Sequence, residues 1–286
     1  MGRRLAGLLV VGVMVVPTMV VVETVVAETS VADAAPCAEA SPAVGMAATP
    51  SGRGFYVVSV DGCIGTSGDA VFSGQPVATT HPVVGMAVPP LGSGYWEVSS
   101  DGGLFSFGGA PFLGSTGDLA LNRPIVGMAA TPTGRGYWFV GSDGGIFAFG
   151  DARFLGSSAG VPLNRPIVGM AATPTGDGYW LVASDGGVFA FGDARFEGST
   201  GGFRLNQPIV AMAPTPSGQG YWFVGSDGGI FNFGDAPFLG SAAALSGSVQ
   251  APAVGLAPTP TGKGYWVAFG PNNQVDAFGD ATPVTP

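Results

Sequence analysis

A unit of 40 to 44 residues repeats six times in this chain, with copies beginning at Pro42, Pro82, Pro124, Pro166, Pro208 and Pro252. Each copy carries an aromatic doublet after a glycine: Phe55-Tyr56, Tyr95-Trp96, Tyr137-Trp138, Tyr179-Trp180, Tyr221-Trp222 and Tyr265-Trp266. Every tyrosine and tryptophan of the sequence lies in that doublet. Repetition at this period constrains the fold more than any single residue, because each copy is one supersecondary unit stacked on its neighbours.

The third copy shows what the unit is. Ile125 to Ala130 predicts a first strand, Thr131 to Gly136 a Pro/Gly loop, Tyr137 to Gly141 a second strand and Ser142 to Gly145 a tight turn. Ile146 to Phe149 predicts a third strand and Arg153 to Gly156 a fourth. The Asp143-Gly144 pair between two β-rich runs is a strong hairpin signal, because that turn needs positive φ, which Gly and Asp adopt at little cost. No segment has a helical hydrophobic period.

Six antiparallel units of about 42 residues predict an all-β, six-bladed β-propeller of four-stranded blades. Closure of the ring leaves no long free sheet edge. Small residues such as Gly127-Met128-Ala129 suit an innermost strand crowding a central axis, and the Trp and Phe of the later strands suit the wider wedges between blades. The last unit runs out in Ala281 to Pro286, so blade six is expected to lack its fourth strand. By register, residues 28–41 would help to close the ring there, and deleting residues 28–40 should then lower the melting temperature.

In a four-stranded meander, the d-to-a connections and b-to-c turns share one face of the disc, and the a-to-b and c-to-d turns share the other. Cys37 precedes the first strand of blade one and Cys63 occupies its b-to-c turn, so a Cys37–Cys63 disulfide is expected, pinning the N-terminal segment. Closing such a loop stabilises by about 3 kcal/mol.

Arg3 and Arg4 followed by the apolar run Leu5 to Val22 read as an export signal, with small-residue cleavage sites after Ala27 or Ala34. This divides the chain into a signal and short linker at 1–34 and a propeller at 35–286. The alternative is a retained anchor, since 18 apolar residues just span a bilayer, although Pro17 within the run favours processing. An exported compartment also lets a disulfide persist. Lys263 is the single lysine, and acidic side chains outnumber basic ones 19 to 10. An acidic surface without Lys/Arg clusters disfavours nucleic acid and anionic lipid as partners.

The consensus Gly-Tyr-Trp-Leu/Phe-Val-x-Ser-Asp-Gly-Gly-Ile/Val-Phe-x-Phe-Gly-Asp-Ala, clean at Gly136 to Ala152, Gly178 to Ala194 and Gly220 to Ala236, resembles a repeat of secreted bacterial proteins. In that family the repeats stand alone or accompany cell-wall hydrolases or peptidases. The resemblance covers Pro42 to Asp280, implies a propeller fold and carries no assigned chemistry. Blades one and six depart from it at Gly62 to Ser67 and at Pro271 to Gln274, as terminal repeats do.

The aromatic doublets are read as core, since strand alternation sends Tyr and Trp to opposite, covered faces. Asp101, Asp143, Asp185 and Asp227 recur in the b-to-c turn, and Asp151, Asp193, Asp235 and Asp280 after Phe-Gly. Calcium needs six to eight oxygens, whereas each of these loops offers one carboxylate, so turn capping is their expected role and no metal or cofactor is expected. Asp151 and Arg153 are expected to form an exposed ion pair. His81 has no repeated acid partner nearby in sequence, and no hydrolase motif is present. Glu97 and Glu197 break the repeat, but they sit on different strands of separate blades.

The d-to-a connections vary most, and variable loops on a rigid frame carry recognition. Asn122-Arg123, Asn164-Arg165 and Asn206-Gln207 place an amide and a second polar donor at one repeat position in three successive blades. They are the candidate ligand contacts. The expectation is a monomeric, secreted, non-catalytic module that binds a cell-surface glycan or protein through several equivalent weak sites. The alternatives are an extracellular hydrolase with a site at the channel mouth and a purely structural envelope protein.

Overall fold

The computed structural model describes residues 41–91, 93–244, 252–270 and 273–283. The export segment, Cys37 and residues 28–40 lie outside them. Blade one holds β1 (Ala43–Ala48), β2 (Phe55–Ser59) and β3 (Ile64–Ser67), and blade two β4 (Val83–Ala87), β5 (Tyr95–Ser99) and β6 (Leu104–Phe107). Blade three holds β7 (Ile125–Ala130), β8 (Gly136–Gly141) and β9 (Ile146–Gly150), and blade four β10 (Ile167–Ala172), β11 (Gly178–Ala183) and β12 (Val188–Gly192). Blade five holds β13 (Ile209–Pro214), β14 (Gly220–Gly225) and β15 (Ile230–Gly234), and blade six β16 (Ala253–Pro258), β17 (Gly264–Phe269) and β18 (Val275–Gly279). A 3-10 turn at Ala242–Ala244 is the one helical element among the described residues, and no helix there is long and apolar enough to cross a membrane.

Each blade is an antiparallel meander, and the six sheets form a propeller-like ring. Backbone hydrogen bonds run from blade to blade: Val83 N donates to Val60 O, Ile125 N to Ser100 O, Ile167 N to Ser142 O, Ile209 N to Ser184 O and Ala253 N to Ser226 O. Ala43 N donates to Gly270 O at 3.1 Å, which joins the last blade to the first. The innermost strands touch in the same succession, with β16 against β1. Glycine permits that crowding: a Cβ on Gly85 would lie 3.5 Å from the Gly127 Cα. The axis is lined by the repeated Val-Gly-Met of these strands, around a cavity of about 120 Å³.

Strand b is the core of every wedge. Tyr137 and Trp138 are fully buried and project to opposite sides of β8, so Trp138 meets Tyr179 of blade four with ring centroids 5.6 Å apart. Trp96 meets Tyr137, Trp180 meets Tyr221 and Trp222 meets Tyr265 in the same way, and Trp266 meets Phe55 across the closure at 5.5 Å.

The expected fourth strand is corrected by the structure: the sheets have three strands, and Arg153 to Gly156 joins no ladder. At Gly150 the backbone takes φ 65° and the chain leaves the edge of β9. Side chains then satisfy its backbone groups, as buried peptide groups require. Trp138 Nε1 donates to Arg153 O at 2.8 Å. The Tyr179 hydroxyl of the next blade accepts from Leu155 N at 3.1 Å and donates to Gly156 O at 2.6 Å. Gly156, at φ 138°, lies so close over Phe191 that a Cβ would stand 2.4 Å from the ring. The outer segment is thus stapled between blades by the aromatic doublets. Blade six begins the same segment, because Trp266 Nε1 donates to Thr282 O at 2.9 Å.

Candidate ligand-binding face

The a-to-b loops and c-to-d turns lie together, as the meander requires, and their carboxylates are engaged within the fold. Asp151 accepts from Thr131 Oγ1 at 2.9 Å and from Thr133 Oγ1 at 2.6 Å. Asp69, Asp193, Asp235 and Asp280 do the same in their own blades. Hydroxyl donors from Ser51 and Thr49 hold Asp69 below the usual carboxylate range, and Thr261 and Thr259 do so for Asp280. The expected Asp151–Arg153 ion pair is not formed, because the Asp151 oxygens face those hydroxyls. Arg153 Nη1 instead meets Asp177 Oδ1 of the next blade at 3.0 Å.

On the opposite face the b-to-c turns of blades one to five are each held by an aspartate, as where Gly145 N donates to Asp143 Oδ1 at 3.0 Å. The d-to-a connections are pinned onto these turns: Thr116 N donates to Gly102 O, Ser158 N to Gly144 O and Thr200 N to Gly186 O. Beyond the pins the loops stand out from the disc, and three clefts open beside them. The first, about 340 Å³, is lined by Arg123, Asp143, Asn164 and Arg165. The second, about 380 Å³, repeats it one blade on, with Arg165, Asp185, Asn206 and Gln207. The third, about 630 Å³, takes Asn206 and Gln207 on one side and reaches β15 on the other.

Five of the six residues expected to contact ligand therefore line clefts, and Arg165 borders two of them. Asn122 is exposed but is not among the lining residues. The guanidinium groups of Arg123 and Arg165 make no ion pair among the described residues. Each loop also carries an exposed apolar side chain at one position, namely Leu119, Val161 and Phe203. Reading the loops for polar groups alone overlooks these, although their repetition is plain once the loops are aligned.

The two acids that break the repeat do not converge. Glu97 lies within β5 at 0% exposure, between blades one and two, and a Cβ on Gly62 would stand 2.9 Å from its Oε2. Neither carboxyl oxygen has a hydrogen-bond partner. Burial, helped by the Asp61 charge, pushes its pKa up to about 9, so it is a neutral acid at pH 7. Glu197 belongs to the outer segment between blades four and five, where its N–H donates to the Tyr221 hydroxyl. His81 does have an acid partner in space, with Nδ1 3.0 Å from Asp101 Oδ2 at the surface. Cys63 is buried in the blade-one turn, and its expected partner Cys37 lies outside the described residues.

Among known proteins, the chain matches no family model and no curated relative.

Proposed function

We propose that the protein is an exported, non-catalytic binding module that engages a cell-envelope or extracellular glycan or protein through the d-to-a face of its ring. The observation that carries this reading is the row of neighbouring clefts, bordered in register by Arg123, Asn164, Arg165, Asn206 and Gln207. Repeated shallow sites suit a ligand that repeats, since linked weak contacts gain from high effective concentration. Export on the N-terminal signal and a Cys37–Cys63 bridge belong to the same proposal, and the bridge would tether the N-terminal segment to blade one. The hydrolase alternative has less support: a general acid must reach its substrate, and Glu97 is enclosed.

Screening the purified protein on glycan and peptidoglycan arrays tests the reading. Binding with more than one site per protein is expected, and Arg165→Ala should weaken it more than Asn122→Ala because Arg165 borders two clefts. Silence on both arrays, together with silence against extracellular protein ligands, would leave a purely structural role.

A further inference from the structure

In a repeat protein, whatever the fold requires recurs in each copy, so departures that gather in one place need a cause other than folding. Away from the closure, two such departures and two of the variable loop positions meet in the largest of the three clefts, beside β15. Phe203 replaces Leu119 and Val161, Arg204 replaces Ala120 and Pro162, Gln207 replaces Arg123 and Arg165, and Asn232 replaces Ala148 and Ala190. These residues come from two segments about 30 positions apart, which only the folded ring brings together.

Their chemistry is specific. The Phe203 side chain is 74% exposed and stacks on no other ring among the described residues, so a large apolar plane is held open to water. Asn232 is fixed by donating from Nδ2 to Ala236 O at 2.9 Å, which leaves its Oδ1 to accept from a ligand. Asn206 and Gln207 add further amide donors and acceptors. The floor is rigid, because Phe233 packs against Tyr221 and Phe223 beneath Gly198, where a Cβ would stand 2.5 Å from the ring. Arg204 and Asp227 give the lining one charge of each sign.

We propose that this cleft is the principal subsite of the binding face and that it takes a neutral pyranose ring of a glycan chain. One face of a pyranose is apolar and covers an aromatic plane, and its rim of hydroxyls matches fixed amides. A cleft of about 630 Å³ has room for a sugar ring, and the balanced charge of the lining favours an uncharged sugar over an acidic one. This rests on the binding reading above and assigns its ligand class.

The test titrates the full exported protein with chitohexaose and with cellohexaose by calorimetry, alongside Phe203→Ala, Phe203→Trp and Asn232→Ala. The expected result is binding of at least one oligosaccharide, weakened at least tenfold by Phe203→Ala, several-fold by Asn232→Ala, and kept by Phe203→Trp. The melting temperature should be unchanged by substitution of the exposed Phe203 and little changed by Asn232→Ala, because blades three and four have alanine at that position. Oligosaccharide binding that ignores all three substitutions would overturn the subsite while leaving the binding reading intact. Failure to bind either oligosaccharide while the arrays show another ligand would overturn the sugar assignment, and failure everywhere would remove both.

Discussion

Five tyrosine hydroxyls, those of Tyr95, Tyr137, Tyr179, Tyr221 and Tyr265, each grip the backbone of the preceding blade's outer segment. Burial raises the pKa of these phenols, that of Tyr95 to about 12, so they remain donors throughout the ordinary pH range. Tyr179→Phe strands the Leu155 N–H and the Gly156 carbonyl and should lower stability by about 1–3 kcal/mol, read as a drop in denaturation midpoint. At the position facing the chain's last unit the sequence already has phenylalanine, Phe55. Glu97 gives a second residue-scale prediction. Its folded-state pKa, about 9, lies above the ordinary 4.5, so the ionisation-linked cost of burying it is absent below pH 4 and grows as pH rises from 4.5 to 9, on top of the pH-independent cost of its unpartnered oxygens. Glu97→Leu, the residue blade four has as Leu181, should therefore stabilise by on the order of 3 kcal/mol at pH 7 and much less at pH 4. Melting curves at the two pH values decide it, and equal shifts would refute the buried neutral acid.

The three strands of each blade were legible in the sequence because their signals are local: β-rich runs, an Asp-Gly turn and a Thr-Pro-Thr-Gly loop. The outer segment was not, because Phe154-Leu155 reads as a fourth strand while its backbone partners are side chains, 15 residues back in its own blade and 24 ahead in the next. No propensity encodes a ladder replaced by an indole and a phenol. The glycine of that segment is more demanding than a loop glycine. Gly156→Ala at φ 138° with Phe191 in contact should destabilise by several kcal/mol, about 2 or more on overpacking grounds. The carboxylate clamp of the opposite face is likewise an element-scale device. Asp193→Ala frees both Thr173 and Thr175, and amides of the blade-four a-to-b loop should then exchange faster. Blade two supplies the control, since Gly109 stands where the clamp aspartate would be and its Pro89-Pro90 loop has no threonine pair. The candidate loops were legible as polar and variable, but Phe203 and Asn232 come from different segments, and only the fold shows that they border one cleft.

At the scale of the whole ring, the closing interface lacks both the phenol staple and aromatic volume. Between blades six and one Phe55 has no hydroxyl, Gly65 and Ser67 stand where β9 has Phe147 and Phe149, and a cavity of about 170 Å³ opens between Phe55, Val57, Ser67 and Val275. Missing side-chain volume and a missing staple both lower local stability. Native-state hydrogen exchange should accordingly reach β1, β3 and β18 before β10, β11 and β12, and equal protection all round would contradict it. The hub carries a different consequence. Val-Gly-Met rings it at four blades, with Ala211 for the glycine in blade five and Leu256 for the methionine in blade six, and without one ionisable side chain. An ion or a sugar entering there would have to shed its water with nothing offered in exchange. A polar ligand therefore gains nothing at the hub, and docking falls to the loop side, whose clefts carry the polar and charged side chains.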